Sequence, residues 1–181
     1  TSNVVLNAGD LVASGFTGNM IVVAGTGTNQ ITTGSGDDNV SGGAGNDNLI
    51  GGAGNDTFLF SSESELNGDV TVDGGVDIDT IKIIETASTL TDASFTDVVR
   101  FEKLDLDGSG VQKVTLAAEA NAAFASNGII ITVNEAATSF NLDGTNSTVT
   151  ITSNGTDNAD TLVGGSANDT FTGGTGTDSI D

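Results

Sequence analysis

Thr33-Gly-Ser-Gly-Asp-Asp-Asn-Val-Ser41, Gly42-Gly-Ala-Gly-Asn-Asp-Asn-Leu-Ile50 and Gly51-Gly-Ala-Gly-Asn-Asp-Thr-Phe-Leu59 are three consecutive nine-residue units written in nearly the same letters. Alignment places Gly34, Gly43 and Gly52 second, Gly36, Gly45 and Gly54 fourth, Asp38, Asp47 and Asp56 sixth, and Val40, Leu49 and Phe58 eighth. The glycines open backbone angles closed to other residues, so the first half of each unit can close into a tight turn with carbonyl oxygens inward. The aspartate ends that turn. A polar-apolar-polar triplet follows, which reads as a very short strand with its single apolar side chain inside. A disordered Gly/Asp linker has no reason to place an apolar residue at every ninth position.

Upstream, counting back by nine from Val40 meets Ile31, Val22 and Ala13, so the rhythm precedes the glycine motif. Short apolar runs at Val4–Leu6, Leu11–Ala13 and Met20–Val23 fit strands, and Gly25, Gly27 and Asn29 form a degenerate unit with an amide at the aspartate position. Downstream, Phe60 to Asp73 reads as an acidic loop with Glu63, Glu65 and Asp69, ahead of a strand over Val70–Val72. The unit Gly74 to Lys82 follows, with Asp79 placed 23 positions after Asp56: two nonapeptides plus a five-residue insertion, which returns Asp79 to the row of Asp56. Residues 83–153 lack the repeat but show strand-like alternation at Phe101/Leu104/Leu106, Val114/Leu116, Ile129/Ile131/Val133, Phe140/Leu142 and Val149/Ile151. Val133, Leu142 and Ile151 are again nine apart. Ala117 to Ala125 reads as a short helix over a strand end and Thr91 to Phe95 as a turn. From Gly155 the code resumes, with Asp160, Asp169 and Asp178 and with Leu162, Phe171 and Ile180 each nine apart.

The chain has 181 residues with 25 acidic against 4 basic, a formal charge of -21, and no Pro, Cys, His, Trp or Tyr. That charge argues against nucleic acid and anionic lipid as partners and for cations. No apolar run approaches the ~20 residues that span a bilayer, so membrane insertion is not expected. Without His or Cys, soft-metal sites and the usual triad and thiol chemistry are excluded, and no phosphate-binding loop motif is present. Asp105 and Asp107 alternate with Leu104 and Leu106, which reads as the wet face of a strand rather than a carboxylate pair flanking a cleft. The start without Met and the end inside a unit suggest a piece of a longer protein.

The nonapeptides resemble the RTX, or hemolysin-type calcium-binding, repeat family, whose pattern is GGxGxDxUx with U a large apolar residue. The resemblance implies an all-β fold, a parallel β-roll in which two nonapeptides make one coil and Ca²⁺ lies between stacked turns. In the family the upper turn supplies carbonyls from positions two and four plus its aspartate, and the lower turn carbonyls from one and three plus its own. Carried over, the ligand sets are Gly25, Gly27 and Asn29 with Gly42, Ala44 and Asp47, then Gly34, Gly36 and Asp38 with Gly51, Ala53 and Asp56. Two further sets are Gly52, Gly54 and Asp56 with Gly74, Val76 and Asp79, and Thr156, Asn158 and Asp160 with Gly173, Thr175 and Asp178. Asp169 would need a unit beyond Asp181. Six oxygens, mostly carbonyls, suit Ca²⁺ better than Mg²⁺.

Three segments are therefore expected: a lead-in and first repeat block over 1–82, a metal-free β-solenoid or small β segment over 83–153, and the start of a second block over 154–181. The stretch Asp92 to Leu104 also resembles segments of bacterial surface-layer and large RTX surface proteins. Together these imply a non-catalytic calcium-binding structural module of a secreted cell-surface protein, exported by type I secretion and folding on Ca²⁺. Self-association in a surface lattice is the expected partnership, with a cell-surface glycan less favoured because Trp and Tyr are lacking. The rival expectation is an accessory module of a secreted RTX lipase, protease or polysaccharide-modifying enzyme.

Overall fold

A computed structural model describes residues 2–5, 9–124 and 128–181. Its strands pair in parallel throughout, in one nine-stranded and two five-stranded sheets. The nine-stranded face runs through Ser2–Val5, Met20–Val23, Asn39–Ser41, Thr57–Phe60, Thr80–Ile83, Lys103–Leu106, Ile129–Val133, Ile151–Asn154 and Thr170–Thr172. Leu6, the end of one expected strand, lies outside the described residues. The nine-residue rhythm explains the construction. Successive units alternate faces, so Val22, Val40 and Phe58 stack on the long face in register Val22↔Val40 and Val40↔Phe58. Leu11, Ile31, Leu49 and Val72 stack on the opposite face. The insertion after Phe58 preserves the stack: Phe58 pairs with Ile81 and Ile81 with Leu104.

The opposite face is divided between two sheets. The first comprises Leu11–Val12, Gln30–Thr32, Asn48–Ala53, Thr71–Val76 and Val98–Val99; the second Ser88–Leu90, Val111–Thr115, Ser139–Asp143, Thr161–Val163 and Ser179–Ile180. The strands of 83–153 thus join the same long face as both repeat blocks. At the changeover, bare sheet edges need cover. Helix α1 (Glu63–Gly68) packs against the first strand of the second sheet, and helix α2 (Ala118–Ala123) packs against the last strand of the first.

The acidic stretch read as a loop is therefore partly helical. Ser62 caps α1 by accepting the Glu65 N–H, and Leu66 is buried. Ala125, the end of the expected alanine-rich helix, lies outside the described residues. The nine-residue spacing of Val133, Leu142 and Ile151 does not mark a stack: Ile151 pairs with Ile129, a longer coil. Helix α2 has no cap of its own. Asp92, in the 3₁₀ turn Asp92–Phe95, accepts the N–H groups of Ala117 (2.8 Å), Glu119 (3.2 Å) and Ala120 (3.0 Å) instead. Asp92→Ala is expected to cost about 1 kcal/mol, as for loss of an N-cap. A thermal melt in calcium that matches the parent would refute the cap.

One core fills the space between the faces. The first-block repeat strands contribute one or two buried apolar residues each, Val40 and Leu49 singly and Phe58 with Phe60, whereas the middle coils add Phe95, Phe101, Phe124 and Phe140. Phe58 meets Phe101 edge-on at 5.3 Å between centroids, and Phe95 meets Phe124 at 5.5 Å. Asp105 lies on the outer surface as expected, where Lys82 bridges it (2.8 Å) and Asp107 (3.0 Å). No helix among the described residues is long and apolar enough to cross a membrane.

Candidate metal centre

The repeat turns end on an aspartate, or on Asn29 in the degenerate unit, and one coil step separates each from the next in its row. The Asp38 N–H donates to Oδ1 of Asp56 and the Asp56 N–H to Oδ1 of Asp79, each at 2.8 Å. The Met20 N–H donates to Asp38 (2.7 Å), extending the row downward. Across the roll the Gly9 N–H donates to Asn29 Oδ1 and the Asn29 N–H to Asp47 Oδ1, both at 2.8 Å. In the last block the Asp160 N–H donates to Asp178 Oδ1 (3.1 Å), and Asp169 Oδ1 accepts from Ile151 (2.8 Å).

Each rung uses one carboxylate oxygen. The other, Oδ2 of Asp47, Asp56 and Asp79, is buried without a hydrogen-bond partner. A buried, partnerless carboxylate oxygen is costly, and these have a like charge one coil away. A cation removes both costs.

The second oxygen lies against a glycine of its own turn. A Cβ added to Gly42, Gly51, Gly74, Gly155, Gly164 or Gly173 would come closer than 3.0 Å to Oδ2 of Asp47, Asp56, Asp79, Asp160, Asp169 or Asp178 respectively. Gly52 shows why the turn needs its second glycine: its φ is +108° and a side chain would strike the Gly34 carbonyl. Among the described residues no three acidic side chains converge on one point, so any ion would draw most of its ligands from main-chain oxygens. Carbonyl and carboxylate oxygens form a hard donor set that fits Ca²⁺.

The candidate residues fall together in pairs of turns. Gly27 donates to the Ala44 carbonyl (2.8 Å), and Asn29 Nδ2 bonds both the Gly27 carbonyl (3.0 Å) and Asp47 Oδ1 (3.1 Å). A Cβ on Gly43 would meet the Gly25 carbonyl, so Gly25 also lies at this step. Ala53 donates to the Gly34 carbonyl (3.0 Å) while Thr33 Oγ1 donates to that of Gly51 (2.5 Å), and the Gly36 carbonyl abuts Gly54. Gly52 and Ala53 pair in register with Gly75 and Val76, beside Gly74 and Asp79. In the last block the Thr156 and Asn158 carbonyls abut Gly174 and Gly176, which flank Thr175 beside Gly173. There the second oxygens are occupied: Asp160 Oδ2 accepts from the Thr156 N–H (2.6 Å) and Asp169 Oδ2 from the Gly165 N–H (2.8 Å).

Two members of the rows were not anticipated. Asp69 Oδ1 accepts the Asp47 N–H (3.0 Å), and Glu102 Oε2 accepts that of Asp79 (2.9 Å), so non-repeat acids close both rows. Glu102 had a signal, since it stands two residues before Leu104, the offset that separates Asp79 from Ile81.

Burial pushes the carboxyls of Asp56, Asp69 and Asp79 up to about 7, assisted by neighbouring acids such as Asp79 beside Asp56 and Glu102 beside Asp79. The unfolded groups keep ordinary values near 3.8. Without a cation, the folded form therefore holds protons that the unfolded form releases. The stability these protons supply is complete below 3.8 and lost as pH rises through about 7. In metal-stripped buffer, far-UV circular dichroism should show more β structure at about pH 5 than at about pH 8. A flat or opposite trend would count against the buried ladder.

Searches of curated proteins and of solved structures find no match. The RTX calcium-binding nonapeptide repeat matches in four copies over residues 23–58 and 154–181, which carry most of the inward aspartates, Asp79 lying outside the match. Residues 23–58 and 154–181 are thus RTX calcium-binding nonapeptide repeats, calcium-binding segments of an all-β parallel roll.

Proposed function

We propose that the chain is a non-catalytic structural module of a secreted bacterial cell-surface protein, a surface layer or an adhesin, that folds on binding Ca²⁺. The observation that carries this is the set of buried aspartates one coil apart, each with an oxygen facing the glycine of its own turn. In this reading Gly25, Gly27 and Asn29 with Gly42, Ala44 and Asp47 hold one ion, and Gly34, Gly36 and Asp38 with Gly51, Ala53 and Asp56 a second. Gly52, Gly54 and Asp56 with Gly74, Val76 and Asp79 hold a third, and Thr156, Asn158 and Asp160 with Gly173, Thr175 and Asp178 a fourth. Asp169 serves a further coil. Within 83–153 no ion lies between one coil and the next, and these coils act as an apolar spacer, supported by the phenylalanines concentrated there.

The structural role is favoured by the uninterrupted nine-stranded face, which suits a load-bearing rod better than a site needing a cleft. Electron microscopy of the purified chain in millimolar calcium is the test, with an ordered two-dimensional array as the expected result. Monomers in calcium, together with a catalytic domain in the same polypeptide, would favour the accessory module of a secreted enzyme.

A further inference from the structure

Asp79 is the last aspartate of its row in the first block, and the repeat does not resume until Gly155. Its side chain is fully buried, and Oδ2 has no partner. The next coil offers Arg100-Phe101-Glu102-Lys103 in place of a glycine turn, yet two of its residues take up the roles of one. Glu102 is the first. It is itself buried, 8% exposed, and its Oε2 accepts the Asp79 N–H at 2.9 Å, much as Asp79 Oδ1 accepts that of Asp56 at 2.8 Å.

Arg100 is the second. Its φ is +60°, and among the described residues only Asp77 shares a positive φ without being glycine. Such a backbone is held only where surrounding structure enforces it. What it delivers is a carbonyl. A Cβ placed on Gly74 would come closer than 3.0 Å to both the Arg100 main-chain oxygen and Asp79 Oδ2. At Gly51 the same point is flanked by the Gly74 oxygen and Asp56 Oδ2, and at Gly155 by the Gly173 oxygen and Asp160 Oδ2. A strained arginine therefore puts its carbonyl where a repeat coil puts that of its first glycine. The guanidinium, 55% exposed, is held by Asp73 through both Nε and Nη2, so its charge is answered at the surface.

We propose that the Arg100 carbonyl, Asp79 Oδ2 and the Glu102 carboxylate hold one further Ca²⁺, at the step where the repeat sequence has already ended. The site rests on the assignment of calcium to the repeat aspartates, since it copies their arrangement with different residue types. A hard divalent cation suits two carboxylates and a carbonyl.

Crystals of the full chain grown in calcium give the direct test. An ion about 2.3–2.6 Å from the Arg100 oxygen and Asp79 Oδ2 is expected. Density between Asp38 and Asp56 but none at Arg100 overturns this site alone. Density at neither overturns the calcium assignment of the repeats along with it. In solution, Glu102→Gln keeps an acceptor for the Asp79 N–H but removes the charge, and should lower the ion count in native mass spectrometry by one. An unchanged count in the folded variant overturns the proposal. Arg100→Gly keeps the carbonyl and relaxes the backbone, so it should keep the ion, and loss of the ion would overturn the main-chain assignment.

Discussion

Chelation of calcium with EDTA is expected to remove most of the β-sheet circular dichroism contributed by residues 24–82 and 155–181, and millimolar calcium to restore it. Each repeat unit fixes nine residues around a single buried apolar side chain, too little apolar surface to offset the lost backbone freedom. In the first block the turns also bury Asp47, Asp56 and Asp79 with one oxygen each unpartnered. Coils stack about 4.8 Å apart, so without an intervening cation these carboxylates repel their neighbours as well as lacking solvent. Metal-binding free energy is then folding free energy. The coils that carry Phe101, Phe124 and Phe140 should resist longest, because these large side chains bury more apolar surface than a repeat unit does. Hydrogen exchange resolves this: amides of 24–58 should lose protection in EDTA while those around Phe101 and Phe140 keep more of it. Unchanged β signal in EDTA would sink the coupling of folding to calcium.

What was legible beforehand, and what was not, follows from the period. A fixed nine-residue step carries the alternation of faces, so Val22, Ile31, Val40, Leu49 and Phe58 could be placed in the core in advance, and all five are buried. It also carries the insertion before Asp79, because Ile81 and Asp79 had to return together to the rows of Phe58 and Asp56. Where the period lapses, spacing stops reporting contact. Val133 and Ile151 keep nine-residue intervals by coincidence, since the coil joining Ile129 to Ile151 is set by its turns. The six-residue helix α1 is too short to show a helical period, although Ser62 and Glu65 carry a capping spacing. The transfer of one face from the first short sheet to the second leaves no local mark, because it depends on which edges α1 and α2 cover. Asp69 and Glu102 were missed for a related reason. They stand in the aspartate rows by position in space, with Glu102 reaching through a longer side chain from a segment that lacks the glycines.

Asp56→Ala should be the most damaging single change in the first block, roughly twice as costly in ions as Asp169→Ala. Asp56 is the middle member of its row: its Oδ1 accepts from Asp38, its own N–H donates to Asp79, and its Oδ2 is buried without a partner. Alanine leaves the Asp38 N–H unsatisfied, at a cost of about 1–3 kcal/mol, and removes one carboxylate from each of two adjacent ion positions. Asp169 has a different setting, with both oxygens already taken by Ile151 and Gly165. The expected readout is a loss of two ions for Asp56→Ala against at most one for Asp169→Ala. The calcium concentration for half-folding should rise by at least about tenfold, equivalent to 1.4 kcal/mol. Asp56→Asn separates the two effects. Asn29 already shows that an amide can hold a rung, accepting from Gly9 while donating to Asp47. The asparagine variant should therefore recover the main-chain bond but not full calcium affinity, placing its midpoint between parent and alanine. If Asp56→Ala and Asp169→Ala shift the midpoint equally, Asp56 does not serve ions on both sides.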